Sequence, residues 1–310
     1  MEFIELIHEP AGESLDFQPH LFIAASGYES RSTIIPESFG QSNAIKIAFA
    51  FTEFSKELQR PKNDQFYLAN QYELIPTSSE EAPDYEAIFN RFKGHELKVM
   101  IDISVMPRLW YHSLLRFFLG TRKFQNVHIR ILYCPAFSGA PLKRNRAVKL
   151  EKFTMIENIR ERVQSNKNKA LVLGLGSQKG VAQAVYDMLR PDSCTLLYAD
   201  PNIQKDYVEN VFVNNHALIN QMDIRNLKGY PLDNTEEIYR MLVDTILPLR
   251  RDYHVVIIPQ GPKIFSLITM ILQMSYPDID LYYPTFKVRQ IRDRVPFNEI
   301  SSLDLVFGTE

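Results

Sequence analysis

Eight short stretches of the chain are apolar almost throughout. They are LFIAAS at 21–26, AIKIAFAF at 44–51, KVMIDIS at 98–104, VHIRILYC at 127–134, ALVLGLG at 170–176, CTLLYAD at 194–200, YHVVIIP at 253–259 and IDLYYP at 279–284. Continuous apolar runs, rather than alternating ones, are what parallel strands covered on both faces require. Helical spacing appears between them. In 107–120, Leu109, Trp110, Leu114, Leu115 and Phe118 fall on one face behind Pro107, a residue favoured at the first helical position. Residues 179–190, 235–249 and 262–274 repeat the pattern, the last again behind a proline, Pro262. Strand and helix alternating in this way predict an α/β fold with mostly parallel sheets. The Lys-, Arg- and Asn-rich stretch 141–169 breaks the rhythm. It reads as a connector with a helix near 148–164, either as a solvated face or as a local basic patch.

The two halves of the chain repeat one another. KVMIDISVMPRLWYHSLLRFF and HVVIIPQGPKIFSLITMILQ are each an apolar strand, a short turn, Pro plus a cation, then an apolar helix. Pro107-Arg108 and Pro262-Lys263 are 155 residues apart, and the opening strands at Leu21 and Ala170 are 149 apart. Such a period is too long for a solenoid unit. It predicts two tandem Rossmann-like domains, 1–145 and 146–310, with an internal duplication as their origin. Chance likeness between α/β units is the competing explanation.

Ligands of open α/β sheets bind beyond the carboxyl ends of the strands, near the point where strand order reverses. Four turns follow strands here: Ser26-Gly27-Tyr28-Glu29-Ser30-Arg31, Asp102-Ile-Ser104 to Arg108, Gly174-Leu-Gly176-Ser177-Gln178-Lys179-Gly180, and Gln260-Gly261-Pro262-Lys263. Each combines small or hydroxyl residues with a cation. Glycine lets a ligand approach the backbone, the start of the following helix attracts anions, and Arg or Lys adds charge. The four together point to an anionic ligand such as a nucleotide. Ion pairs with neighbouring loops are the structural alternative, as for Glu29 with Arg31 on the surface.

The third turn reads G-x-G-x-x-x-G, one residue longer than the dinucleotide fingerprint, and Asp200 closes the next strand. A carboxylate there accepts hydrogen bonds from a ribose diol in NAD sites, and S-adenosylmethionine sites look similar. An Asx turn or helix cap at Asp200-Pro201-Asn202 explains the same residues. Asp102 is readable as a general base or ribose ligand, or as a cap of helix 107–120 or a partner of Arg108.

Composition narrows the field. The formal net charge is −2, from 35 basic and 37 acidic residues, so no strong overall field attracts nucleic acid or anionic lipid. Cys134 and Cys194 sit in apolar runs and read as buried strand thiols of a reducing, cytoplasmic compartment. The opening MEFIELIHEP lacks a basic start and a long apolar stretch, and no apolar run approaches the ~18 residues of a membrane span. The seven histidines are scattered, with no HExxH or CxxC spacing, so no metal is expected. GxSxG and GxxxxGK[ST] are also missing. His112 reads as a core residue, and Asn214-Asn215-His216 as a helix end.

Residues 253–284, strand, Gly261-Pro262-Lys263, apolar helix and strand, are similar to the C-terminal part of CARF-type Rossmann domains. Those are sensors of cyclic oligonucleotides in prokaryotic antiviral systems. The resemblance implies Gly261 and Lys263 as ligand contacts, a dimer and a role in defence, although no effector signature accompanies it. The leading expectation is therefore a nucleotide- or anion-sensing protein. The alternatives are an enzyme using NAD or S-adenosylmethionine, and a Rossmann-like scaffold whose aromatic tail (Tyr282, Tyr283, Phe286, Phe297, Phe307) meets a protein partner. The chain has only 12 glycines, and Gly27, Gly174, Gly176, Gly180 and Gly261 all follow proposed strands.

Overall fold

The computed structural model describes residues 2–7, 17–39, 43–137, 150–155, 167–201, 205–286, 291, 293–296 and 300–308. The first part of the chain supplies strands β1 (Glu2–Ile7), β2 (Leu21–Ser26), β3 (Ile45–Phe51), β4 (Glu73–Thr77), β5 (Glu96–Asp102), β6 (Asn126–Tyr133) and β7 (Ala136–Phe137). Among them lie helices α1 (Ile34–Ser38), α2 (Arg60–Ala69), α3 (Tyr85–Phe89) and α4 (Arg108–Gly120). The second part supplies β8 (Leu150–Met155), β9 (Lys169–Leu175), β10 (Ser193–Ala199), β11 (Leu227–Tyr230), β12 (His254–Ile258) and β13 (Asp280–Phe286). Its helices are α5 (Val181–Leu189), α6 (Lys205–Ile219), α7 (Thr235–Asp252) and α8 (Lys263–Ser275). The chain ends with β14 (Val295–Pro296) and β15 (Ser301–Gly308).

The fold is α/β with two mostly parallel sheets, as the apolar runs predict. One sheet has the order β1-β15-β6-β5-β2-β3-β4 and the other β11-β10-β9-β12-β13-β8. Each contains five parallel strands, and in each the chain starts at the centre, moves outward by two strands, then returns to the other side. Counted within its own unit, the strand order of both is 3-2-1-4-5. Strand order therefore reverses between β2 and β5 in one unit and between β9 and β12 in the other. The strands that flank these points are buried on both faces, from Leu21 to Ala25 and from Ala170 to Leu173. That is why their sequences carry no polar alternation.

The repeat extends to local geometry. Helices α4 and α8 are both 13 residues long. Each follows a proline in the N-cap position, Pro107 at φ −60°, ψ 149° and Pro262 at φ −59°, ψ 148°. The prolines thus stand one residue before the helix, with its first turn left to Arg108 and Lys263.

Three expectations are corrected. The expected boundary at 146–310 fails at the C-terminus. The compact units are Met1–Gly139 with Ile291–Glu310, and Ala140–Gln290. Strand β15 lies in the first sheet between β1 and β6, antiparallel to both, and Phe307 of the aromatic tail is buried there. The helix expected near 148–164 is in part strand β8, which pairs antiparallel with β13; the rest of that range, apart from the strand, lies outside the described residues, as do Asn202 and Phe297. Glu29 and Arg31 form a buried pair rather than a surface one.

Candidate functional site

In the second unit, β9 runs directly into its glycine turn. A Cβ on Gly174 would lie 2.4 Å from the Gln260 carbonyl oxygen and 2.9 Å from the Phe265 ring. Glycine is needed there so that β9 can pack against the turn between β12 and α8. Two residues on, the packing is looser. A Cβ on Gly176 would meet nothing nearer than 3.7 Å, that neighbour again being Gln260. Gly180, the N-cap of α5, has φ +78° and nothing within 4 Å of its Cβ position. Gly261 has φ +105° and lies beside Leu175 and the Tyr230 hydroxyl. Tyr230 in turn stacks on Phe265, with centroids 4.7 Å apart and planes at 13°.

Two amides from α6 hold the β9 turn in place. Asn215 Nδ2 donates to the Gly176 carbonyl at 2.8 Å, and Asn214 Nδ2 to the Ser177 carbonyl at 2.9 Å. Asn214 and Asn215 therefore do not mark the end of α6, which continues to Ile219. Gln260 is different. Its Nε2 is cut off from solvent and makes no hydrogen bond. A buried amide donor left without an acceptor costs about 1–3 kcal/mol.

The remaining predicted residues of this unit take up positions around the turn. Lys263 is the first residue of α8 and is half-buried. Lys179 is exposed and lines a surface groove of about 280 Å³ with Asn214 and His216. Asp200 follows β10, is exposed, and donates its backbone N–H to the Tyr230 carbonyl at 2.8 Å. Burial, and then the Asp200 carboxylate, push the Tyr198 phenol above its ordinary pKa. The structure thus gathers Gly174, Gly176, Ser177, Gly261 and Lys263 at the adjoining ends of β9 and β12, with Asp200 closing the strand beside β9.

The counterpart in the first unit is built alike but closed. Gly27 donates its N–H to Ser32 Oγ at 3.2 Å, and its carbonyl accepts Asn63 Nδ2 at 2.9 Å. A Cβ on Gly27 would press on Phe51 and Val105 at 3.3 Å. Arg31 is 2% exposed; its Nε donates to Glu29 at 2.6 Å and its Nη1 to the Cys134 carbonyl at 2.7 Å. Burial pulls the Arg31 guanidinium down, but the Glu29 carboxylate more than offsets it, so its pKa stands above the ordinary value. Asp102 Oδ1 accepts the Ser104 N–H at 2.8 Å, and Ser104 Oγ accepts the Cys134 N–H at 2.8 Å. Helix α4 has Pro107 at its N-cap, which supplies no side-chain hydrogen bond, and the Asp102 carboxylate shapes the turn before it by accepting the Ser104 N–H. Arg108 begins α4 and is half-buried.

Neither cysteine is in a disulfide and both are buried, and burial pushes the Cys194 thiol up to about 12. His112 is buried within α4. Among the described residues, no helix is long and apolar enough to cross a membrane, and no group of three or more His, Cys, Asp and Glu could hold a metal ion. Sequence reasoning placed Gln260 in the fourth turn but missed Asn63 and Asn215 as parts of the turns. Only the polar run Asn214-Asn215-His216 gave a signal. No family model matches the chain, and no curated protein matches it either.

Proposed function

We propose that the second unit binds a nucleotide or a related anionic ligand over the carboxyl ends of β9 and β12. The observation that carries this reading is Gln260. Its buried Nε2 has no acceptor of its own, and its side chain stands 3.7 Å from the position of a Cβ on Gly176, in the turn that follows β9. Strand order reverses between these strands, the position at which open α/β sheets take their ligands. Lys263 at the start of α8 adds charge for a phosphate or carboxylate. A sensing role in antiviral defence fits the CARF-type resemblance of 253–284. A cofactor-using enzyme is the second reading, favoured by the exposed Asp200 at the end of β10, where it would accept a ribose diol.

Calorimetric titration of the intact chain with ATP, cyclic di- and triadenylate, NAD and S-adenosylmethionine tests both. Saturable binding weakened about tenfold or more by Gln260→Ala is expected, the loss of a hydrogen bond to a charged group. Retained affinity in Gln260→Ala, or no binding of any of the five compounds, would count against the proposal. Preference for NAD or S-adenosylmethionine, lost in Asp200→Ala, would favour the second reading.

A further inference from the structure

We infer that each chain takes one such ligand, in the second unit alone, because the first unit fills the equivalent place with its own side chains. The inference rests on the binding reading above and adds a stoichiometry and an assignment to it.

The two strand-end turns share one plan. Each follows the first strand of a 3-2-1-4-5 sheet, and each is held by an asparagine from the helix after the second strand. Asn63 grips the Gly27 carbonyl from α2, and Asn215 grips the Gly176 carbonyl from α6. Each faces a second turn in which a proline N-cap precedes a cation, Arg108 or Lys263.

The polar groups of the plan are used differently. At Gly27 the backbone N–H is taken by Ser32, whose hydroxyl also donates to the Ala25 carbonyl at 2.7 Å. Tyr67 donates to the Ser32 carbonyl at 2.5 Å, and Asn63 Nδ2 also reaches the Glu29 carbonyl at 2.9 Å. The Arg31 guanidinium, the group suited to a ligand anion, already has a carboxylate in Glu29, which is 8% exposed. The space above Gly27 is filled by Phe51 and Val105. An incoming anion would have to break a buried charge pair and leave Glu29 with Arg294 alone, at 4.0 Å, which costs several kcal/mol. In the second unit, Gly180 faces open space, a Cβ on Gly176 would make only ordinary van der Waals contacts with Gln260 and Gly261 at 3.7 Å, Lys179 is exposed, and the Gln260 amide has an unused donor. The duplicated plan is thus open once and closed once.

The matched cations provide the experiment. Intact chain, Lys263→Ala, Arg108→Ala and Gln260→Leu are titrated calorimetrically with ATP and, separately, with NAD, after circular dichroism confirms that each is folded. One site per chain is expected, weakened about tenfold or more by Lys263→Ala or Gln260→Leu and changed less than about twofold by Arg108→Ala. Two sites per chain, or one site that Arg108→Ala weakens and the second-unit variants leave intact, would overturn the inference while sparing the broader reading that the chain binds nucleotides. Failure of both compounds to bind the intact chain would overturn the inference together with the reading beneath it.

Discussion

Gly174 and Gly180 belong to one turn and are required for different physical reasons. At Gly174 the difficulty is room, since a methyl group would sit 2.4 Å from the Gln260 carbonyl oxygen. At Gly180 there is room, and the difficulty is a backbone at φ +78°. Gly174→Ala should therefore destabilise the second unit by about 1–3 kcal/mol, the usual range for overpacking. Gly180→Ala should cost about 1 kcal/mol, and Gly180→Asn less, because asparagine tolerates the left-handed region. Urea denaturation of the three variants checks this, and equal losses for Gly174→Ala and Gly180→Ala would contradict the distinction. The G-x-G-x-x-x-G pattern was legible in the sequence as a place of close approach. That the approach at Gly174 is made by the protein's own Gln260 backbone was not, because nothing in a linear pattern tells a ligand from another turn of the same chain.

At the scale of elements, legibility followed burial. The eight strands with continuous apolar runs all form, within one or two residues of their expected limits. Strands β4 and β11 escaped notice, because ELIPT and LKGY are short edge strands interrupted by Pro76 or by Lys228 and Gly229. Helices α2 and α6 escaped for the opposite reason: their inward faces carry polar residues such as Asn63 and Asn215 whose task is to hold a turn. Asn215 makes this testable. It is 4% exposed and donates to the Gly176 and Val211 carbonyls. Replacement by alanine should lower stability by about 1–3 kcal/mol through the unsatisfied buried carbonyls. Replacement by aspartate, which removes the donor and buries a charge against those oxygens, should cost more. Thermal unfolding that ranked Asn215→Asp as the milder change would show that the amide does not anchor the turn.

For the molecule as a whole, the second unit is an insertion into the first, and the sequence hid this by placing SSLDLVFG at 301–308, after the second repeat. Proximity along the chain assigned 301–308 to the second domain; a clue to its place was Asp304, a carboxylate at the centre of an apolar strand. It is fully buried in the first unit, where Arg130 of β6 meets it through Nε at 2.8 Å and Nη2 at 2.7 Å, and His128 adds a contact at 2.7 Å. The Phe17 ring covers the Arg130 guanidinium at 4.6 Å. Burial pushes the Asp304 carboxyl up, but His128 and Arg130 more than offset this, and its pKa stands below the ordinary 3.8. A carboxylate with a depressed folded pKa contributes its stability above the unfolded value and loses it as pH falls through the folded one. The Asp304 contribution should thus be complete at neutral pH and disappear progressively below about pH 4. Asp304→Asn leaves Arg130 buried without its counter-charge and should cost about 3–5 kcal/mol at pH 7. The same variant should narrow its deficit as the pH is lowered, because the parent then protonates the group that the variant lacks. Denaturation midpoints of both proteins between pH 7 and pH 3 measure the difference directly. A deficit that stays constant over that range would mean that β15 is held by its apolar face alone, and that Leu303, Leu305 and Phe307, rather than the charge pair, return the chain to its first sheet.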